Sequence, residues 1–390
     1  MRKLNAKLLE TKADAAVSAD VASGKVGGAA LRVTQCGKTV YDKRFGFSAE
    51  GVPLAENALF RMASMTKPVT ALAVLIQIER GLLSLDDPVA KFIHGYEKMD
   101  IGKVVDGNPV RTGDAMTAIT VLHLLTHTSG IGSGEVGEAQ FFALTNEEKS
   151  SSRKAAEAFA DRYLEFEPFT RQSYSPALAY DVLATLIECT SDMSYPDFVK
   201  EFIFDPIGMT DSTFTPTKDE WSRVVDMHSY EGNKKAKFVS FSKTNPFGDY
   251  PAGYIFGGAG LVSSLNDYSK FALTLKNGGT TKDGVRVVGE EYIKMMRTPQ
   301  VPETVMPDSV KWGLGVRVIT DDSYGLLPKN SYGWSGAFGT HFWVDPENQI
   351  TAVYLKNSLY DGGAGALTAA RFERDVTGSL RPISETAGAS

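Results

Sequence analysis

The sequence predicts an α/β (α+β) protein in which an antiparallel sheet, assembled from the two chain ends and flanked by terminal helices, carries an inserted, mostly helical domain. Two observations predict it: strand-like alternation is confined to residues near either end, and helix-period apolar runs fill the middle. The implied division is residues 1–88 with 250–390 for the sheet-bearing unit and 89–249 for the insert. A cleft between two such units is the default place for a ligand.

Each element follows from its own pattern. Leu8, Leu9, Ala13, Ala16 and Val17 give an apolar face at helical spacing, predicting a first helix from about Asn5 to Val21. The period then changes. Ala29–Gln35 and Val40–Phe47 flank Cys36-Gly37-Lys38, a hairpin in which glycine supplies the turn. A helix follows Ser64 and stops at Gly81; its apolar residues surround most of the axis, so it is expected to be central and buried. Between Val89 and Pro246 the pattern predicts helices over Thr120–His127, Asn146–Leu164, Ala177–Glu188 and Pro196–Phe204, with no persistent strand alternation. Loops at Gly132–Phe142 and Lys234–Tyr254 are expected to line the entrance to the cleft. Beyond Gly257-Gly-Ala-Gly260 come helices at Leu265–Leu275 and Glu290–Met296. Strand runs at Trp312–Thr320, Ser331–Val344 and Ile350–Asn357 precede a closing helix near Ala364–Val376.

Composition narrows the functional class. Of 390 residues, 41 are Lys or Arg against 47 Asp or Glu, and the one basic cluster, Lys234, Lys235 and Lys237, reads as a solvated loop; a nucleic-acid partner is not expected. The longest apolar stretch, Val69–Ile78, is too short to cross a bilayer and contains Thr70 and Gln77. A mixed polar N-terminus without an apolar core predicts a cytoplasmic protein. Cys36 and Cys189 lack metal-type or redox spacing and are expected to be buried free thiols.

Several short patterns compete for the chemistry. Ser-x-x-Lys stands at Ser64–Lys67, Ser151–Lys154 and Ser240–Lys243, but only Ser64 opens a buried helix. There the two side chains share one face. The positive end of the helix dipole favours an alkoxide on Ser64, and the same surroundings suit Lys67 to act as a neutral, proton-accepting amine. A capping serine beside a solvent-reaching lysine is the plainer alternative on these two residues alone. His123 and His127 imitate half of a zinc motif, yet Leu124 replaces its glutamate, so packing is the expected role. Gly333-Trp-Ser-Gly-Ala337, with His341 nearby, imitates a nucleophile elbow, but the following residues read as strand rather than helix. Glycines 257, 258 and 260 lack the context of a phosphate loop and are read as sites of close backbone packing.

Taken together and in order, Phe60-Arg-Met-Ala-Ser-Met-Thr-Lys-Pro, Leu82-Leu-Ser-Leu-Asp-Asp-Pro-Val, Ile119-Thr-Val-Leu-His-Leu-Leu-Thr-His-Thr-Ser-Gly, Tyr174-Ser-Pro, Phe256-Gly-Gly-Ala-Gly-Leu and Gly333-Trp-Ser-Gly-Ala resemble one family. It is that of the penicillin-recognising serine hydrolases of class C β-lactamase type, and within it the family VIII carboxylesterases. The resemblance implies a β-lactamase/transpeptidase-like fold, with Ser64 as nucleophile, Lys67 as its activating partner and Tyr174 as the proton-shuttling phenol. It places the oxyanion hole at the backbone amides of Ser64 and Ala337, where each donor is worth ~3 kcal/mol in the transition state.

The departures from the family pattern concern the substrate. Trp334-Ser335-Gly336 stands where β-lactamases and peptidases have Lys-Thr-Gly or His-Thr-Gly, so the cation that would hold a substrate carboxylate is absent. Pro176 replaces the asparagine of Tyr-x-Asn. The expected activity is a serine carboxylesterase acting on short-chain neutral esters, with Trp334, Ser335, Gly336, Phe338 and Ser133 in substrate binding and no metal or organic cofactor. A β-lactamase or D-amino-acid peptidase, an acyltransferase and a non-catalytic binding protein are the alternatives, and weak β-lactam binding is compatible with the first reading. The partner expected is a small ester; the natural ester and the oligomeric state are not legible.

Overall fold

The computed structural model describes residues 1–229 and 237–382. The first helix spans Ala6–Ala22; Asn5 caps it by accepting from the Leu8 N–H, and Leu9, Ala13 and Val17 form its buried stripe. That stripe meets Phe372 and Val376 of the closing helix Leu367–Thr377 on one face of the main sheet.

The sheet has eight antiparallel strands in the spatial order Val310–Trp312, Arg317–Ile319, Tyr332–Ser335, His341–Asp345, Ile350–Leu355, Gly28–Gln35, Lys38–Ala49 and Val52–Pro53. Pairing of Ile350–Leu355 with Gln35–Ala30 joins the two chain ends. The strand Ile350–Leu355 is buried throughout because both its faces are covered. Ile350, Ala352 and Tyr354 face the terminal helices, while Val353 and Leu355 face the core around the central helix.

The central helix runs Lys67–Glu79 after a single 3-10 turn at Ala63–Thr66, and every side chain from Lys67 to Gln77 is buried. Pro68 sits in the first turn, where its missing donor costs nothing, and Gly81 ends the run with a φ of 73°. Among the described residues no helix is long and apolar enough to cross a membrane.

The structure corrects several expectations. Strands do occur in the middle of the chain: Asp100–Val105 and Asn108–Asp114 form a hairpin around Asp106-Gly107, both with positive φ, and Tyr163–Leu164 joins its edge. The run Trp312–Thr320 is two strands divided at Gly313–Val316. Ser331–Val344 is likewise two strands, divided by the turn Gly336–Thr340. The expected helix Asn146–Leu164 shrinks to Ser152–Ala158, because the Ser151 hydroxyl caps a new start by accepting from Lys154 N–H. Gly134–Phe142 is a helix rather than a loop.

Cys36 is exposed at the hairpin turn and Cys189 half-buried, both free; a turn position with a φ of 51° leaves the Cys36 thiol outside the core. Lys234 and Lys235 lie outside the described residues, whereas Lys237 begins the short strand Lys237–Val239.

Because Leu72 is fully enclosed, Leu72→Ala is expected to lower stability by ~2–5 kcal/mol. Leu367→Ala, at an exposed position, is expected to change it by no more than ~0.5 kcal/mol. Urea midpoints at unchanged slope check both.

Candidate active site

Ser64 lies in the 3-10 turn that leads into the central helix, directly after Ala63, whose φ of 46° is a left-handed conformation costly for a residue with a Cβ. Neighbouring elements over-determine that turn. Met62 donates to the Leu261 carbonyl (2.9 Å), Thr66 Oγ1 to the Ala63 carbonyl (2.6 Å) and Thr340 Oγ1 to the Met62 carbonyl (2.8 Å). Tyr268 Oη reaches the Met65 carbonyl (2.8 Å), and Asn357 pairs with both backbone groups of Arg61.

Lys67 is wholly buried, and its Nζ contacts Ser64 Oγ (3.4 Å), the Pro176 carbonyl (2.6 Å) and the Gly258 carbonyl (3.1 Å). A neutral amine has two hydrogens and one lone pair. The two carbonyls each take one of its hydrogens, and the third position on the nitrogen faces the Ser64 hydroxyl. The glycines explain how the carbonyl loop comes so close: a Cβ on Gly258 would lie 3.0 Å from Lys67 Nζ, and one on Gly257 would lie 2.2 Å from the Tyr180 carbonyl. Asp181 anchors this loop, accepting from Gly257 N–H (2.8 Å) and Tyr254 Oη (2.9 Å). Burial pushes its carboxyl up to about 7, although those two donors and the neighbouring Lys67 draw it down.

Tyr174 completes the trio in part. Its ring centroid is 4.9 Å from Lys67 Nζ, and its hydroxyl accepts from the indole N–H of Trp334 at 3.4 Å, rather than bonding Ser64 or Lys67 directly. Trp312 stacks near it (6.1 Å between centroids), and His127 packs beneath it at 4.4 Å. His127 has left the helix Val121–Leu125 with a φ of 56°, so it shares no helical face with His123. Its Nδ1 accepts from Ser175 N–H (3.1 Å), and burial, aided by Lys67, holds its pKa well below the usual range. His123 instead closes a capping box with Thr120. Both histidines therefore have packing or capping roles.

The amides of Ser64 and Ala337 have no hydrogen-bond acceptor among the described residues. Both residues line a cavity of about 500 Å³, together with Tyr174, Trp312, Trp334 and Ser335. Two free donors beside a serine hydroxyl are what a developing oxyanion requires. A second cavity, of about 320 Å³, meets the other side of Tyr174 and is walled by Gly132, Gly134, Phe141, Phe142, Phe247 and Tyr250.

Of the residues expected to bind substrate, Trp334 and Ser335 line the larger cavity; the other three line neither. Gly336 is a spacer, since a Cβ there would lie 2.2 Å from the Met62 carbonyl. Phe338 packs on Ala63, Phe241 and Phe247, behind the wall. Ser133 is buried, and its flanking glycines take the lining positions. Trp334 stands where the motif cation would be, but two cations from elsewhere, Lys311 and Arg317, line the larger cavity. Each is already paired, Lys311 with Glu303 and Arg317 with Glu373 and Tyr324. Nothing in the sequence pattern marked Trp312, Arg317 or Asp181 for the site.

A sheet closed by both chain ends and packed on a buried helix, whose opening turn carries the serine, is the β-lactamase/transpeptidase-like fold of the penicillin-recognising serine enzymes. The chain belongs to the beta-lactamase family, whose model matches residues 13–375. Protein Rv1367c of Mycobacterium tuberculosis is 30% identical, covering 85% of this chain and 86% of its own length. Esterase EstB of Burkholderia gladioli is 27% identical over 94% of this chain and 95% of its own. Among solved structures, EstCE1, a hydrolase with promiscuous acyltransferase activity, shares the fold with a TM-score of 0.78 at 20% identity, covering 95% of this chain and 99% of its own.

The Asp181 environment carries a pH signature. Its ordinary value is 3.8, so between there and about 7 the folded state holds a proton that the unfolded chain has released. Stability conferred at low pH is thus lost as pH rises through that window. Asp181→Asn is expected to remove this component, seen as a wild-type minus variant stability difference that falls between about pH 4 and pH 8 in urea titrations.

Proposed function

We propose that this chain is a serine carboxylesterase that hydrolyses short-chain, neutral esters through an acyl-enzyme on Ser64. The observation that carries the reading is the convergence, at one cavity, of the Ser64–Lys67 contact with the two unpartnered amides of Ser64 and Ala337. Ser64 Oγ attacks the ester carbonyl as its proton passes to the Lys67 amine, and the oxyanion settles against the two amides. As the tetrahedral adduct collapses, the leaving alcohol takes a proton from the Tyr174–Lys67 pair. Water, deprotonated by the same pair, then attacks the acyl carbonyl, and that proton returns to the Ser64 oxygen as the acid leaves.

Trp334 and its paired neighbours support the substrate class. Tyr174, Trp312 and Trp334 line the cavity, and the two cations that line it, Lys311 and Arg317, already face carboxylates, which disfavours a substrate carboxylate there. Acyl transfer to an alcohol is the second reading, supported by the activity of EstCE1 and by the same covalent intermediate, with an alcohol in place of water. Two unpaired thiols fit a reducing compartment, and we place the protein in the cytoplasm.

Ser64→Ala is expected to abolish both fluorophosphonate labelling and turnover of p-nitrophenyl butyrate, by at least ~10³-fold, whereas Ser335→Ala keeps the label. Wild type is expected to turn over p-nitrophenyl butyrate far faster than nitrocefin or a D-Ala-D-Ala peptide; the reverse order would make it a β-lactamase or peptidase. Tyr174→Phe is expected to lower kcat by ~10²- to 10⁴-fold with little change in KM, measured by steady-state kinetics.

A further inference from the structure

Beside Ser64, the larger cavity holds a second serine with a polar chain behind it. Ser335 and His341 are directly paired residues of adjacent antiparallel strands, so their side chains leave the same face of the sheet. Ser335 Oγ lies 2.8 Å from His341 Nδ1, and His341 Nε2 lies 3.0 Å from Glu373 Oε1. Glu373 also receives Arg317 Nη2 and, at 2.9 Å, Tyr324 Oη. Ser335, His341 and Glu373 are all buried, yet Ser335 still borders the cavity.

This chain fixes the direction of every hydrogen bond in it. Burial opposes charge on Glu373, but Arg317, His341 and Tyr324 hold its carboxyl below the usual carboxylate range, so it accepts only. His341 Nε2 must therefore carry the hydrogen. Burial, with Arg317, keeps the imidazole below its ordinary range against the pull of Glu373, so with its one hydrogen on Nε2 toward Glu373, Nδ1 faces Ser335 with a lone pair. The Ser335 hydroxyl then donates to Nδ1, and what it presents to the cavity is an acceptor.

The same arrangement resembles a nucleophile with its base, but the surroundings favour the other role. The N–H of Gly336 is taken by the Thr340 carbonyl at 2.7 Å, and the free amide of Ala337 is shared with the Ser64 site. Ser335 also sits in regular strand rather than on a turn.

We propose that Ser335, oriented by His341 and Glu373, selects esters that bring a hydrogen-bond donor, a hydroxyl or an amide N–H, to this end of the cleft and disfavours those that bring a carboxylate there. The proposal rests on the esterase reading and names the substrate class of that same site. Ser335 is the specificity residue; His341 is a positioning residue that acts through it.

Matched esters test the selection. On the alcohol side these are 4-(hydroxymethyl)phenyl, 4-ethylphenyl and 4-carboxyphenyl butanoate; on the acyl side, phenyl 3-hydroxybutanoate and 3-methylbutanoate. Each kcat/KM is normalised to the alkaline hydrolysis rate of the same ester. In wild type, the hydroxyl-bearing member of at least one set should exceed its apolar counterpart roughly fivefold, with the carboxylate ester poorest. In Ser335→Ala the hydroxyl preference should shrink to within about twofold.

A preference that survives Ser335→Ala overturns the proposal, as does wild-type preference for the carboxylate. Fluorophosphonate labelling of Ser335 in the Ser64→Ala protein overturns it in favour of a second nucleophile. Long-range ¹⁵N–¹H correlation spectra give a readout independent of turnover. They should show His341 at neutral pH with hydrogen on Nε2 and none on Nδ1, and the opposite tautomer overturns the proposal. The resonance is assigned by its loss in His341→Gln or, should that variant not fold, by its shift in Ser335→Ala. Absence of turnover on every ester would instead sink the esterase reading, whatever the tautomer.

Discussion

The site depends on how one buried amine is satisfied. Lys67 has no route to solvent from the first turn of a helix buried from Lys67 to Gln77, and leaving any of its polar hydrogens unpaired would cost ~1–3 kcal/mol. Its partners come from two distant segments, the Pro176 carbonyl after Tyr174 and the Gly258 carbonyl in the glycine-rich loop. Satisfying the amine therefore draws both segments onto the helix N-terminus. Tyr174 arrives because it stands two residues before Pro176. Gly257 and Gly258 are required because a Cβ on the first would meet the Tyr180 carbonyl and on the second the Lys67 amine.

The same clasp shapes the electrostatics around the serine. Asp181, under the loop, is held by backbone and phenol donors rather than by direct contact with the amine, so Lys67 remains free to face Ser64. His127, buried beneath Tyr174 and kept neutral by burial, adds no competing charge. The aromatic faces of Tyr174, Trp312 and Trp334 make one wall of the cavity apolar, and in the proposed mechanism the amides of Ser64 and Ala337 act on the oxyanion with little screening.

Where local pattern and final environment agree, the sequence was readable: the first hairpin, the buried central helix and the closing helix all follow from periodicity and turn residues. Spacing at the start of that helix singled out Ser64 and Lys67, but the capping alternative gave way only to the family resemblance. The hairpin at Asp100–Asp114 was missed although Asp106-Gly107 is a hairpin turn signal, because its strands are mostly exposed and show little apolar alternation. Ser133 and Phe338 were expected to bind substrate, and the structure places both outside the lining of either cavity. Trp312 and Arg317 enter the site only through strand pairing, which no local pattern encodes.

Ser64 and Ser335 border one cavity, each with a basic nitrogen at its hydroxyl, and backbone geometry separates their roles. Ser64 occupies a strained turn at a helix N-terminus, where its own amide has no acceptor among the described residues and the dipole favours negative charge. Ser335 ends a paired strand whose neighbouring Gly336 amide is consumed by the turn to Thr340, so negative charge on its oxygen would find far less support. The proton acceptors differ as well: Lys67 meets Ser64 with the part of its valence that two carbonyls leave over, whereas His341 is committed on its far side to an ionised, buried Glu373. A hydroxyl becomes a nucleophile where the surrounding peptide groups can hold the charge that follows attack, and of these two serines Ser64 has the surroundings that the proposed mechanism needs.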